Sequence, residues 1–424
     1  MDRDYTLDLI RVVKEGTNPA LGCTEPVAVA YASSVCSKYS IGDLRNLKCT
    51  VSKSIYKNGK SVLIPHTGRC GLELAAAVGF VGGDSDNGFM VLNSVDDISL
   101  AMAEELIGKG VIGLDYDEDA PDVFVKIIAS SDNEVELILQ GSHTHIEEII
   151  VDGKIVFKDL AENGSSSKDF LQNLSFEEIR MIAEDIEISL LDFTIDGVEM
   201  NLKAADAGLK SDMGLGLGKK LNDIQKMGLI SMDSGTKSRI LTAAAADMRM
   251  GGGDCPIMTS GGSGNQGLGV IIPIYIVAEE RNVGDERLKR SLFFAHAINE
   301  YVKVYSGKLS GMCGCAIGAG IGATAAITWM LGGNDEQIAG ACNNMFANLS
   351  GMICDGAKNT CALKLATSAG EAVLSAHLSL NGFLVTPDVG IVGNTIEDTI
   401  KNIGKLSHLG FNKVDDIMIQ IIDR

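Results

Sequence analysis

The sequence has little proline and a shortage of positive charge. Only 7 of its 424 residues are proline whereas 49 are glycine, which favours helices and tight glycine turns over extended linkers. Lys and Arg number 36 against 56 Asp and Glu, so the net charge is −20. Because nucleic acids are bound by clustered Lys and Arg, this balance argues against a nucleic-acid partner. It suits a cytoplasmic protein that binds a small molecule.

Features of exported and membrane-spanning proteins are also scarce. Residues 1–6 carry charges of both signs in place of the basic start and apolar core of a signal peptide. The longest uncharged run, 309–333, could span a bilayer by length, but seven glycines fall between positions 311 and 333. This composition inserts weakly into lipid and favours a buried helix in a water-soluble core. We therefore expect no membrane partner.

The hydrophobic patterns predict an α+β fold in two domains. Residues 1–160 would form a mixed α/β domain with helices at its N-terminus, 161–170 a polar linker, and 171–424 a mainly α-helical domain. Strands are predicted at 48–55, 60–64, 89–92, 111–116, 122–129, 134–139, 149–151 and 155–157, with a hairpin turn at Asn58-Gly59. Helices are predicted near 71–79, 94–107, 217–227, 234–249, 285–304, 315–331, 335–350, 361–379, 395–405 and 412–423.

Cysteines gather in the second half of the chain. Four of the ten, Cys313, Cys315, Cys354 and Cys361, are separated by one, 38 and six residues. Without an export signal they are expected to be thiols or metal ligands rather than disulfides. The gaps do not match paired zinc knuckles, whereas thiolates from separated loops could hold an iron–sulfur cluster. From spacing alone, they could equally be small buried hydrophobic side chains.

Several motifs resemble the iron–sulfur L-serine dehydratases. The segment 313–318 (CGCAIG) with the Gly/Ala-rich helix after it, Cys354-Asp and Cys361 resemble their catalytic domain, and 251–267 resembles their glycine loop. With Gly-Cys-Thr-Glu-Pro at 22–26 and Gly-Ser-His-Thr at 141–144, the resemblance covers nearly the whole chain and is closest to the L-cysteine desulfidase branch. That branch cleaves C–S instead of C–O bonds.

The resemblance implies a [4Fe–4S] cluster bound by Cys313, Cys354 and Cys361 in the domain 171–424. The family pattern Cys-x-x-x-(Val/Ile)-Gly begins at Cys313, which is why it is preferred over Cys315. Three thiolates leave one iron open to act as a Lewis acid. The implied reaction eliminates sulfide from L-cysteine and gives pyruvate, ammonia and hydrogen sulfide.

The same resemblance implies roles for residues outside the cysteine cluster. Cys23 would be the catalytic base, at the start of a helix that Thr24 could cap and whose dipole should lower the pKa of the thiol. The glycine segment 261–267 could form an anion nest for the substrate carboxylate, or a purely structural turn. The residues expected to bind substrate are Ser142, His143, Thr144, Ser263, Asn265 and Gln266.

Three other functions fit the sequence. The same scaffold could act on L-serine or on another β-substituted amino acid. A pyridoxal-phosphate β-eliminase would use Lys358 or Lys364 to form the Schiff base. A non-catalytic, thiol-rich metal-binding or membrane-attached protein would explain the cysteines without a reaction. An exposed apolar helix face could also support a homodimer.

Overall fold

The computed structural model describes residues 5–159, 168–307, 309–387 and 389–423, and it has the predicted α+β fold. Most of the linker predicted at 161–170 lies outside the described residues. The strands are β1 (Pro19–Ala20), β2 (Asn46–Ser52), β3 (Ile112–Asp117), β4 (Phe124–Ser130), β5 (Glu134–Gln140), β6 (Ile146–Val151), β7 (Lys154–Lys158) and β8 (Ile257–Met258).

Helices make up most of the rest. In the first half they are α1 (Thr6–Gly16), α2 (Thr24–Ser37), α3 (Lys53–Gly59), α4 (Leu72–Gly82), α5 (Asp97–Gly108), α6 (Phe176–Asp185) and α7 (Phe193–Lys210). In the second half they are α8 (Leu217–Lys226), α9 (Ser234–Met250), α10 (Gly264–Arg281), α11 (Asp285–Ser306), α12 (Ile321–Met330), α13 (Asp335–Leu349), α14 (Cys361–Leu380), α15 (Ile396–Lys405) and α16 (Phe411–Ile422). Short 3₁₀-helices cover Ser85–Ser94, Asp169–Asn173 and Ile188–Leu191, and π-helices cover Cys315–Gly320 and Leu406–Gly410.

A six-stranded sheet forms the centre of the N-terminal half. Its order is β3-β2-β4-β5-β6-β7, with β2 and β3 parallel and the other neighbours antiparallel. Burial alternates along β4 and β5, because successive side chains of a strand point to opposite faces. The buried face, which includes Val125 and Leu137, shares one hydrophobic core with α2 and α4.

Two strand predictions in this half are wrong. The hairpin expected across 48–64 is instead strand β2 followed directly by helix α3. The hydroxyl of Ser52 accepts a hydrogen bond from the backbone N–H of Ile55 and so caps the helix. Residues 89–92 lie in the 3₁₀-helix Ser85–Ser94, where the carboxylate of Asp84 accepts from the N–H of Asp86.

The uncharged run forms a buried helix, as predicted. It starts as the π-helix Cys315–Gly320 and continues as α12, and every residue of α12 is buried. Its glycines allow close packing, since a Cβ on Gly322 would lie 2.4 Å from the carbonyl oxygen of Ala295 on α11. In the described part of the chain, no helix combines the length and the apolar character that crossing a membrane requires.

Two connections join the sheet region to the helical core. Strand β1 pairs with β8 and fixes the chain just before α2 to the segment just before α10. The terminal helix α16 returns to α3, where Lys57 and Asp415 form a buried ion pair of 2.5 Å. The division into domains at 1–160 and 171–424 stays a prediction.

Candidate active site

A cavity of about 90 Å³ lies where α2 and α3 meet the helical core. Helices α9, α10, α11 and α14, the π-helix, and the loops that precede the π-helix and α14 supply its other walls. Seven of the ten predicted site residues line it: Cys23, Ser263, Asn265, Gln266, Cys313, Cys354 and Cys361. It is also lined by Glu25, Asn58, Arg249, Lys303, Cys315 and Lys364. The structure therefore brings the predicted base and the three predicted cluster ligands to one place.

The cysteine loops are held together by backbone hydrogen bonds. The N–H of Cys313 donates to the carbonyl of Met352 over 2.8 Å, and the N–H of Cys354 donates to the carbonyl of Gly311 over 2.7 Å. Cys361 is the first residue of α14. These bonds make the positions of the sulfur-bearing residues a consequence of the backbone fold.

The four clustered cysteines differ in their electrostatic surroundings. A hydrogen bond from Cys315 lowers the pKa of Cys313 to about 7 against the effect of burial, and Lys364 contributes in the same direction. The same hydrogen bond and burial raise the pKa of Cys315 well above its usual range. Burial also raises the pKa of Cys354, and it raises the pKa of Cys361 to about 11. Cys313 is thus the member of this group that ionises most readily.

Thiols from separate segments are the donor set that iron–sulfur clusters use. No three Cys, His, Asp or Glu side chains in the described ranges converge on one ion position. A four-iron cluster binds each thiolate through a different iron, so its ligands stand apart. All ten cysteines are free thiols. The charges of Lys57 and Lys364 act on Cys354 and would offset the negative charge of a thiolate-bound cluster.

Cys23 lies in surroundings that favour its protonated thiol, whereas the sequence predicted a lowered thiol pKa. It is the N-cap residue of α2, which corrects the prediction that Thr24 caps this helix. Its Sγ donates a hydrogen bond to Oε2 of Glu25 over 2.8 Å. Burial and the negative charge of Glu25 raise the pKa of Cys23 well above its usual range, so the predicted lowering by the helix dipole is wrong.

Glu25 is a buried carboxylate that the sequence analysis left without a role. Its Oε2 also accepts from the hydroxyl of Thr24, and its Oε1 accepts from Nδ2 of Asn58 over 3.1 Å. Burial opposes ionisation, but the charge of His143, the hydrogen bond from Cys23 and the charge of Arg249 outweigh it and lower the pKa of Glu25. Cys23 and Glu25 thus form a thiol–carboxylate pair in the cavity wall.

The glycine segment is half turn and half helix. Gly261 and Gly262 both have positive φ, and the backbones of Ser260 and Ser263 exchange two hydrogen bonds across them, as in a tight hairpin turn. Helix α10 starts immediately afterwards. Asn265 and Gln266 therefore lie in the first turn of a helix, whose backbone N–H groups have no acceptor within the helix.

The remaining three predicted residues, which are all described, are not in the cavity lining. Ser142 is exposed and Thr144 is half-buried. His143 is buried, its charge acts on Glu25, and its ring lies 6.3 Å from that of Phe89. A role for these three in substrate binding stays a prediction. His143 influences the cavity through the effect of its charge on Glu25.

Comparison with known proteins shows the family of this chain. The chain matches the serine dehydratase alpha chain over residues 99–420. The chain belongs to the serine dehydratase alpha-chain family. It is also 53% identical over 416 residues to a UPF0597 protein of Clostridium botulinum (strain ATCC 19397 / Type A), covering 97% of this chain and 96% of the relative. A UPF0597 protein of Alkaliphilus metalliredigens is 38% identical over 423 residues, or 98% of this chain and 94% of that protein.

The family match covers the four clustered cysteines but not every residue in the cavity. The matched range 99–420 includes the four clustered cysteines and the glycine segment, whereas Cys23, Glu25 and Asn58 precede it. Two charged residues were missed for lack of context. Glu25 lies in the Gly-Cys-Thr-Glu-Pro motif, which was singled out for its cysteine. Arg249 lies three residues after the four alanines at 243–246, and a charged residue in this part of a helix could have indicated a functional role.

Proposed function

We propose that this member of the family is a [4Fe–4S]-dependent lyase that eliminates sulfide from L-cysteine. The products would be pyruvate, ammonia and hydrogen sulfide. The observation that carries the proposal is the shared cavity, in which Cys313, Cys354 and Cys361 face Cys23 and Glu25. A serine dehydratase-like scaffold supplies the reaction class, which is β-elimination from an amino acid.

Cys313, Cys354 and Cys361 would hold the cluster. When bound, it would supply a Lewis-acidic iron that makes the β-substituent a better leaving group. Cys315 would remain a thiol and donate its hydrogen bond to Cys313, which fits the opposite directions of their pKa shifts. Lys364 lies beside these sulfurs, and its ion pair with Asp355 fixes the position of its charge.

Cys23 would remove the Cα proton of the substrate. Because its pKa is raised and that of Glu25 is lowered, the thiol proton rests on Cys23 between turnovers. The 2.8 Å hydrogen bond gives that proton a direct path to Oε2 of Glu25 when the thiolate is needed. As the Cα proton moves to Sγ, the Cβ–S bond breaks and its electron pair leaves with sulfur as hydrosulfide, which takes up the proton from Glu25 and departs as hydrogen sulfide. The resulting 2-aminoacrylate then reacts with water to give pyruvate and ammonia.

L-Serine is the second candidate substrate, and the family description favours it. Elimination from serine would use the same base and the same cluster position, with water as the leaving group. The two substrates differ in the softness of the atom that meets iron, since sulfur is the softer ligand. Relative kcat/KM values for L-cysteine and L-serine distinguish the two proposals.

The test uses protein that is reconstituted with iron and sulfide under anaerobic conditions. We expect about four irons per chain, sulfide release from L-cysteine, and loss of iron in Cys313→Ala, Cys354→Ala and Cys361→Ala. Cys315→Ala should retain iron, and Cys342→Ala, which alters a buried thiol of α13, is the matched control. A wild-type protein that binds no iron and releases no sulfide would refute the proposal.

A further inference from the structure

Arg249 is a buried cation in the cavity wall with no carboxylate partner among the residues described. It is 3% exposed, and no Asp or Glu oxygen of the described chain lies within ion-pair distance of it. Its Nη1 donates to Oδ1 of Asn265 over 2.8 Å and contacts Sδ of Met250, while its Nε has no described hydrogen-bond partner. The charge of Arg249 acts on Glu25 only from beyond ion-pair distance, and a buried guanidinium N–H without an acceptor is costly, which suggests that the acceptor comes from a ligand.

The start of α10 adds a second positive group at the same place. Ser263, the N-cap residue, makes no side-chain hydrogen bond to the helix, so it leaves the first-turn N–H groups to other acceptors. Gly264 leaves room beside Arg249, because a Cβ there would stand 2.4 Å from Nε. A guanidinium next to the N-terminus of an 18-residue helix suits a carboxylate.

The two other cations of the cavity lining are engaged elsewhere. Nζ of Lys303 donates to the carbonyl of Gly261 over 2.5 Å. Lys364 forms an ion pair with Asp355 and donates to the carbonyl of Ile353. The charge of Arg249 also reaches both Cys23 and Glu25, so an anion bound at Arg249 would lie close to the proposed base.

We propose that Arg249, together with the first turn of α10, binds the α-carboxylate of the amino-acid substrate. The inference rests on the proposed function and deepens it, because it makes a free carboxylate the feature by which the site selects its substrate. It also assigns the carboxylate to α9 and α10 rather than to the Ser142–Thr144 segment, which lies outside the cavity lining. Asn265, bonded to Nη1, would set the orientation of the guanidinium.

Binding of a ligand that cannot react tests the anchor directly. Isothermal titration of the reconstituted wild-type protein would use L-alanine, which has no leaving group, and L-alaninamide, whose carboxylate is replaced by a neutral amide. We expect L-alaninamide to bind about 10- to 100-fold more weakly, as the loss of charged hydrogen bonds predicts. Equal binding of the two ligands, or no binding of L-alanine, would overturn the proposal without requiring any variant.

Variants locate the effect. Arg249→Gln should weaken L-alanine binding by about 10- to 100-fold and remove the preference over L-alaninamide, and Arg249→Lys should fall between it and wild type. Arg239→Gln alters an arginine of the same helix that bonds to the carbonyl of Ala366, and should bind like wild type. Thr144→Val tests the alternative. If it abolishes binding while Arg249→Gln binds normally, the anchor is wrong, although cluster loading and sulfide release could still stand.

Discussion

Sγ of Cys23 lies 2.8 Å from Oε2 of Glu25 in the wall of a cavity that also contains four cysteines of the helical core. The two residues are two positions apart in sequence. Both lie at the start of α2, and both line the cavity. Their pKa values move in opposite directions, because burial and a nearby carboxylate penalise the thiolate while His143 and Arg249 favour the carboxylate. The pair therefore holds one proton between turnovers, and that proton lies on Sγ of Cys23.

Replacing Glu25 by Gln should slow turnover without removing the cluster. Gln lacks the carboxylate that accepts the proton of Cys23, so we expect kcat to fall by about 100-fold or more. Cys23→Ser should show a comparable loss, and the double variant should be little worse than either single one, because the two residues act as a unit. Iron content and kcat of the three proteins are the measurements.

A control separates catalysis from packing in that experiment. Glu25→Asp retains a carboxylate and should recover part of the activity. Cys49→Ala removes a buried thiol from the sheet, outside the cavity lining, and should leave turnover unchanged. If Glu25→Gln turned over at the wild-type rate, Glu25 would have no part in proton transfer.

Gly356→Ala should destabilise the protein and impair cluster loading. Gly356 has φ +93°, and a Cβ there would lie 2.5 Å from the carbonyl oxygen of Lys57, where the loop between Cys354 and Cys361 crosses α3. Strain at positive φ costs about 1–2 kcal/mol, and the clash with backbone adds to it, so we expect a loss of about 3 kcal/mol. Thermal unfolding and iron content of the reconstituted variant measure both effects.

Gly382→Ala is the matched control for that variant. Gly382 has φ +83°, but a Cβ there would meet open space. Gly382→Ala should lose only the stability that backbone strain at positive φ costs, and it should bind iron like wild type. Equal losses in the two variants would mean that the contact with Lys57 is unimportant.

The sequence was most informative where a chemical pattern is local. The helices at 234–249 and 361–379 lie within two residues of their predicted ends. The convergence of Cys313, Cys354 and Cys361 could be predicted only through a family resemblance, since gaps of 38 and six residues do not define a distance.

The parts that escaped prediction depend on contacts distant in sequence. Helix α3 replaced a predicted hairpin because Asn58 and Lys57 find partners on α2 and α16, 33 and 358 residues away. The raised pKa of Cys23 was missed because its first cause is burial, which depends on packing against Val62 and Met250 rather than on the nearby Glu25. A helix dipole can be inferred from local sequence, but the burial of the thiol and the 2.8 Å distance to the carboxylate cannot.

Stability should fall as the pH drops below the usual pKa of histidine, because of His296. Burial lowers its pKa to about 4, although the charge of Glu300 opposes the shift, and Nδ1 bonds to the hydroxyl of Ser260. The unfolded chain takes up a proton near pH 6.5 and the folded chain does not. The neutral form of His296 therefore makes its full contribution to the free energy of unfolding above about pH 6.5. Roughly 3 kcal/mol of that free energy is lost as the pH falls to about 4.

The measurement is the unfolding free energy of wild type and His296→Gln between about pH 7 and pH 4.5, from urea titrations. The variant should show the shallower dependence on pH. His408→Gln alters an exposed histidine that bonds to the carbonyl of Tyr305, and should keep the wild-type slope. Parallel curves for wild type and His296→Gln would rule out His296 as the source.

Lys57→Met should lower the free energy of unfolding more than any substitution at an exposed position of α3. Lys57 and Asp415 are 1% and 8% exposed in their side chains, so removing the lysine leaves a buried carboxylate without its charge partner, at a cost of about 3–5 kcal/mol. The double variant Lys57→Met/Asp415→Leu should recover part of this loss, because no unpaired charge remains.

Lys53→Met is the control at an exposed pair. It breaks the pair with Asp416, whose side chain is 51% exposed, and should cost less than about 1 kcal/mol. Urea unfolding of wild type, Lys57→Met, Asp415→Leu and the double variant gives the coupling energy, and a value near zero for Lys57 and Asp415 would show that α16 is held to α3 by other contacts.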